Sequence, residues 1–148
     1  MFMSQFINAS SEVVFAASTD IAAWPKHISA IERVELLTDG PVGVGTKFRE
    51  TRIMFKKEAS EEMEITAFDP PNQYVVGSDS CGARFTTTMR FVPHEAGTLL
   101  EMEMVTVPTS LMGRLMAPIG LLFKGAMVKM IKRDMADLAR AVEQRQDH

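Results

Sequence analysis

One cysteine, one tryptophan and one tyrosine occur in the 148 residues. The lone Cys81 cannot close an internal disulfide or build a cysteine metal cluster. No adjacent base or basic cluster activates it, so it reads as structural. Three histidines, His27, His94 and His148, show no metal-ligand spacing, and neither metal nor cofactor is expected. Positive charge is short too: 16 Lys and Arg against 19 Asp and Glu leave a formal charge of −3. With a pI near 5.6, a whole-domain basic footprint for nucleic acid is excluded. The most apolar stretch, Leu111 to Ile131, is broken by Arg114, Lys124 and Lys129, whereas a membrane-spanning helix wants ~20 mostly apolar residues. Met1 to Ser10 lacks a basic segment ahead of an apolar one, so no signal peptide is expected and a cytoplasmic location is. No dinucleotide fingerprint and no Ser-His-Asp signature loop is present.

What is abundant is methionine: 12 of them in a chain that is 46% hydrophobic. Such a chain can bury a core, and its length suits one domain over 1–148, with no repeat or linker dividing it. Methionine is unbranched and polarizable, so an interior rich in it adapts to irregular shapes.

Phe2 to Ala9 reads as a strand, and Ser10 with Glu12 opens a helix that stops near Thr19 and Asp20. A second short helix is expected from Asp20, as its cap, to Trp24, with Pro25 ending it. Extended segments follow at Ile31 to Leu37, Thr46 to Phe55, Ala59 to Phe68 and Gln73 to Asp79, separated by turn chemistry at Thr38–Pro41, Lys56-Lys57 and Asp69–Asn72. Ser80-Cys81-Gly82 turns the chain into Ala83 to Val92. There Phe85, Thr87, Met89 and Phe91 alternate with Arg84, Thr86, Thr88 and Arg90. Leu100, Met102 and Met104 alternate with Glu101 and Glu103 in the last strand. A period of two means one face buried and one wet, as in an antiparallel sheet. From Ser110 the spacing changes to three and four, through Leu111, Leu115, Ile119, Leu122, Phe123, Met127, Met130, Ile131, Met135, Leu138 and Val142. That is one long amphipathic helix, with a kink or break expected at Pro118 and Gly120. Only this helix is long enough to cover the sheet, and the gap where it stands off is the natural ligand site.

Several segments, in order, are similar to one known group. They are Ile7-Asn8-Ala9-Ser10 through Val14-Phe15, Trp24-Pro25, the run Asp39-Gly40-Pro41-Val42-Gly43-Val44-Gly45-Thr46-Lys47-Phe48, and Phe68-Asp69-Pro70-Pro71-Asn72-Gln73-Tyr74. Together they resemble the SRPBCC superfamily, whose helix-grip fold is shared by START lipid-binding domains, pollen-allergen-type proteins and polyketide cyclase/dehydratase proteins. The resemblance covers nearly the whole chain. It implies an α+β helix-grip fold: a curved antiparallel sheet of about six to seven strands wrapped around one long C-terminal helix, with two short helices after the first strand. It also implies that the Gly40–Gly45 loop borders the pocket entrance. The superfamily holds binders, transporters and enzymes, so it does not settle activity.

The candidate site starts from Glu50 and Arg52. Two residues apart in a strand, they share a face with Phe48 and Met54. If that face is inward, an acid and a guanidinium sit in an apolar cavity; if Ile53 and Phe55 point inward, both charges are solvated. The expected lining is Trp24, Phe48, Glu50, Arg52, Met54, Met63, Tyr74, Phe85, Thr87, Met89, Met102, Met104, Met116, Ile119, Phe123 and Met127. Trp24 is expected at the cavity mouth, with His27 nearby as a candidate general base. The first reading is binding of a small hydrophobic or lipid-like ligand, with Arg52 on its carboxylate or carbonyl oxygen and Glu50 holding Arg52. The alternative is a polyketide cyclase/dehydratase-like enzyme in which Arg52 stabilises an oxyanion and Glu50 or His27 takes a proton. Weak membrane-surface contact also stays open, because Val105 to Arg133 carries five basic residues and no acid. The spacing of Asp134 and Asp137 lets both pair with Lys and Arg along the helix, which favours a core-packing helix instead. A homodimer stays open.

Overall fold

The computed structural model describes residues 1–80 and 82–146, so Cys81 and His148 lie outside the described residues. The chain runs β1 (Phe2–Ile7), α1 (Ser11–Thr19), a 3-10 turn (Ile21–Ala23), α2 (Trp24–His27), β2 (Ile31–Leu36), β3 (Lys47–Met54), β4 (Lys57–Asp69), β5 (Gln73–Ser80), β6 (Ala83–His94), β7 (Gly97–Pro108), α3 (Leu111–Leu122) and α4 (Lys124–Gln146). The seven strands form one antiparallel sheet in the order β1-β7-β6-β5-β4-β3-β2. This is the α+β helix-grip architecture, with α4 lying against one face of the sheet.

Local chemistry explains the first elements. Ser10 caps α1, its hydroxyl accepting from the Val13 amide at 3.3 Å, and Glu12 sits at the positive end of the helix dipole. Pro25 does not end the second helical segment. It stands in the first turn of α2, where no helical N–H is required of it. Asp20 makes no side-chain cap bond to the 3-10 turn. The β3–β4 hairpin closes on Phe55 and Lys56, both at positive φ, as a two-residue turn matching strand twist demands.

Register sets the inner face. Phe48 lies opposite Met63 and Glu50 opposite Glu61. Tyr74 faces Met89, Met89 faces Met102 and Met102 faces Met3. Directly opposed residues share a face, so methionine runs across the sheet under α4. Val14 and Phe15 of α1, Tyr74, Phe91, Leu100 and Met102 of the sheet, and Ile131, Met135, Leu138 and Val142 of α4 make the main core. A smaller cluster of Ile21, Phe48 and Ile65 is closed by Trp24, whose ring meets Phe48 edge-on at 5.4 Å.

The C-terminal helix departs from expectation. It is two helices, bent by 71°, and the break falls at Phe123 rather than at Pro118 or Gly120. Pro118 stays inside α3. The Arg114 carbonyl that its missing N–H strands lies on an exposed helix, where solvent can take the bond. At Phe123 the backbone leaves the helix, and its amide closes on the Gly120 carbonyl at 3.1 Å. Only Gly113 of α3 is buried, where it packs against the Gly82 backbone so closely that a side chain would clash. Among the described residues, no single helix is long and apolar enough to cross a membrane.

Packing therefore differs between the two helices. Phe91→Ala, at a site 2% exposed, should lower the unfolding free energy by about 3–5 kcal/mol. Leu122→Ala, at a site 81% exposed, should change it by less than about 0.5 kcal/mol. Urea unfolding of both variants checks this, and a large loss at Leu122 would mean that α3 is packed.

Candidate functional site

β3 presents Phe48, Glu50, Arg52 and Met54 to the inside. Phe48 is 0% and Glu50 8% exposed, against 42% for Ile53 and 69% for Phe55. α4 crosses above and lowers Asp134 onto the same place. Arg52 Nε donates to Glu50 Oε1 at 2.9 Å, and Nη2 also reaches that oxygen. The same Nη2 donates to Asp134 Oδ2 at 2.9 Å. All three side chains are largely buried. Two carboxylates thus share one guanidinium, and with both ionised the group carries a net charge of −1.

Among the described residues, two atoms of this group have no partner: Arg52 Nη1 and Asp134 Oδ1, both buried. A buried donor or acceptor left unmade costs ~1–3 kcal/mol, and more when charged. The cluster is therefore one donor and one acceptor short of satisfaction, on two groups that an ion pair already holds together.

Burial pushes the Glu50 carboxyl above the ordinary carboxylate range, outweighing the pull of Arg52. Asp134 is pushed up for the same reason, again against Arg52. Burial works to lower the Arg52 value, but Glu50 and Asp134 together outweigh it and hold the guanidinium charged. Beside Glu50 across the strands, Glu61 Oε1 accepts from Ser78 Oγ at 2.7 Å. Further in, Tyr74 and Ser18 share a hydroxyl bond of 2.8 Å, and burial pushes the phenol up to about 12, so it stays neutral.

An apolar cleft of about 190 Å³, lined by Ile53, Met54, Phe55, Phe123, Ala126, Met127 and Met130, opens where the β3–β4 hairpin meets the α3–α4 elbow. Met54 is the next inward residue after Arg52 on β3, and Met130 is one helical turn before Asp134 on α4. The cleft therefore lies next to the charged cluster along both elements, although Glu50, Arg52 and Asp134 do not line it, and Phe55 and Phe123 on its wall are in edge contact at 5.9 Å.

Several residues fall outside this arrangement. His27 belongs to an outer cleft of about 410 Å³ with Lys26, Asp137, Arg140, Gln144 and Arg145, and its Nε2 lies 3.2 Å from Arg145 Nη2. It is not brought to Glu50 and Arg52. Trp24 and Phe48 are packed together at the far end of β3, which closes that end instead of forming a mouth. The Gly40–Gly45 loop precedes Lys47, so it too lies at the end of β3 away from the cleft. Met116 and Ile119 are each 44% exposed on α3, because the bend at Phe123 swings that helix off the sheet. Tyr74 and Met102 are core residues, while Met89, Met104 and Met127 are partly buried against the core. Met63 packs on the smaller cluster. Phe85 and Thr87 stand on the inner face opposite Ser78 and Val76. His94 ends β6, its ring edge-on to Phe6 at 6.0 Å. Asp137 pairs along the helix with Arg140 at 3.3 Å, but Asp134 reaches across to the sheet. Among the described residues, no group of three His, Cys, Asp or Glu is placed to hold a metal ion.

Asp134, expected to pair along its own helix, instead joins Arg52 on β3, and Glu61 and Ser78, not singled out in the sequence, complete the polar group. The signal was there: Asp134 falls within the helical stripe of Met127, Met130, Ile131, Met135 and Leu138, and Glu61 alternates in phase with Met63.

Residues 3–145 match the model of a family described as polyketide cyclase/dehydrase and lipid transport, and the chain belongs to that family. No curated protein sequence matches the chain. Among solved structures it is similar to TTHA0849 from Thermus thermophilus, at 19% identity and a TM-score of 0.71, covering 98% of this chain and 94% of that one. It is also similar to the di-domain ARO/CYC StfQ of the steffimycin biosynthetic pathway, at 12% identity and a TM-score of 0.79, covering 100% of this chain and 51% of that one. Ara h 8.0201 matches at 17% identity and a TM-score of 0.65, covering 98% of this chain and 95% of that one. At these identities the likeness shows the fold alone.

The raised Glu50 carboxyl has a consequence for stability. Its folded value lies above the unfolded one, near 4.5, so the native state holds the proton longer and loses stability as pH rises through the folded value. Glu50→Gln removes that loss. Urea unfolding at rising pH above 4.5 should show the variant gaining on the wild type until the folded-state carboxyl has ionised; a constant difference would mean an ordinary carboxylate.

Proposed function

We propose that this member of the polyketide cyclase/dehydrase and lipid transport family binds a small, mostly apolar and uncharged molecule whose hydroxyl or carbonyl oxygen is held at Arg52 and Asp134. The observation that carries this reading is the pair of buried atoms without partners, Arg52 Nη1 and Asp134 Oδ1. A hydroxyl satisfies both, accepting from one and donating to the other. A carbonyl satisfies the donor alone. A carboxylate is disfavoured, because Arg52 already faces two acids and a third would bury uncompensated negative charge. This refines the simpler idea that the guanidinium recruits an anion.

The apolar part of the ligand lies along Met54, Met127 and Met130. The cleft of about 190 Å³ is smaller than the ~300–1,000 Å³ usual for ligand sites. Methionine walls and the elbow at Phe123 supply the adaptability that a larger molecule requires.

A second reading rests on Glu50. A carboxyl pushed up by burial beside a guanidinium suits proton transfer next to a developing enolate oxygen. This is cyclase/dehydrase-type chemistry beside the same cleft, and the family's description as polyketide cyclase/dehydrase agrees with it. Turnover of a poly-β-ketone mimic that disappears in Glu50→Gln while binding persists would establish it. Turnover surviving that substitution would remove Glu50 from catalysis.

Calorimetric titration at pH 7 with 1-octanol and octanoate tests the binding reading. Octanol should bind at least about tenfold more tightly, since a hydrogen bond to a charged group contributes ~1.5–3 kcal/mol. Asp134→Asn neutralises one acid and should narrow the difference. Octanoate binding more tightly to the wild type would contradict the assignment.

A further inference from the structure

Apart from Arg114, α3 is apolar, and it is almost uncovered. Leu111, Leu115, Leu121 and Leu122 are each 69–81% exposed, and only Gly113 is buried. Twelve residues at ~1.5 Å each make a rod of ~18 Å, too short to cross a hydrocarbon core of ~30 Å. Phe55 at the tip of the β3–β4 hairpin extends the same apolar surface through its contact with Phe123.

Charge identifies what covers this surface. Lys56 and Lys57 follow Phe55, Arg114 lies within α3 and Lys124 follows Phe123, all exposed. Among the described residues none of these four makes an ion pair. Lys26, Lys129, Lys132, Arg133 and Arg145 are likewise without an ion pair among the described residues, whereas Arg33, Arg49, Arg84, Arg90 and Arg140 each have an acidic partner, so it is the clustering of cations beside apolar surface that marks the patch. No acid occurs between Val105 and Arg133. The chain as a whole is negative, at −3, so this patch runs against the average. A second copy is a poor occupant, because two such faces would set unpaired cations against unpaired cations. A groove in a partner protein would leave uncovered part of a rod that is apolar but for Arg114.

We infer that α3 and the tip of the β3–β4 hairpin dock on an anionic phospholipid bilayer, α3 lying in the plane of the interface. Its leucines enter the acyl boundary, and the four cations meet lipid phosphates. Because Phe55 and Phe123 also line the cleft, docking turns the cleft's outer end toward the lipid. The inference does not depend on what occupies the cleft.

The test is cosedimentation of the full chain with phosphatidylcholine vesicles, alone and mixed with phosphatidylglycerol, at low and high salt. Binding is expected to the mixed vesicles, and salt should weaken it. The double variant Leu115→Asp/Leu122→Asp should lose it. Arg114→Gln/Lys124→Gln should weaken it about tenfold or more, given ~1 kcal/mol per basic residue at an anionic surface. Urea midpoints equal to wild type show that these exposed substitutions leave the fold intact. Absence of binding at low salt overturns the inference, as does equal binding to both vesicle types. A solution dimer that Leu115→Asp dissociates also overturns it, assigning the face to a second copy.

Discussion

Two carboxylates competing for one buried guanidinium is the constraint around which this molecule is arranged. Glu50 and Arg52 come from β3 and Asp134 from α4, so the cluster fixes where the helix crosses the sheet. Replacing a buried ion group by packed hydrocarbon is often neutral or stabilising. Such a group is therefore poorly explained as a stabilising device, and this one is also incomplete. An unused donor and an unused acceptor, two residues along β3 and one turn along α4 from the walls of an apolar cleft, fit a polar anchor for something the protein holds.

The fold was legible because its signals were periodic. Alternation in Ala83 to Val92 and Leu100 to Met104, the serine cap at Ser10 and the break at Asp69–Asn72 each marked an element or its end. The site was only half legible. β3 carries an apolar pair on both phases, Phe48 with Met54 and Ile53 with Phe55, so alternation alone could not choose its inner face. The choice is made by α4, because Asp134 meets Arg52 from above, and that contact spans 82 positions in sequence. Asp134 itself was hidden by its neighbours, since Lys and Arg nearby offered it ordinary helical partners.

The methionines changed meaning in a similar way. Met3, Met89 and Met102 cross the sheet as core, while Met54, Met127 and Met130 wall the cleft. Met112 and Met116 lie on α3, away from both. Helical periodicity runs unbroken through Phe123, so the spacing carries no sign that the chain turns there by 71°. That turn converts what reads as one core helix into a packed helix and an exposed apolar one. It also places an uncovered hydrophobic surface beside the apolar cleft that adjoins the charged cluster.

The decisive measurement is a crystal structure of the protein with 1-octanol bound. If the cluster is a polar anchor, the hydroxyl oxygen lies within about 3 Å of Arg52 Nη1 and of Asp134 Oδ1, with the alkyl chain between Met54 and Met130. Octanol seated in the outer cleft beside His27 and Arg145, with the Glu50–Arg52–Asp134 cluster untouched, would contradict it.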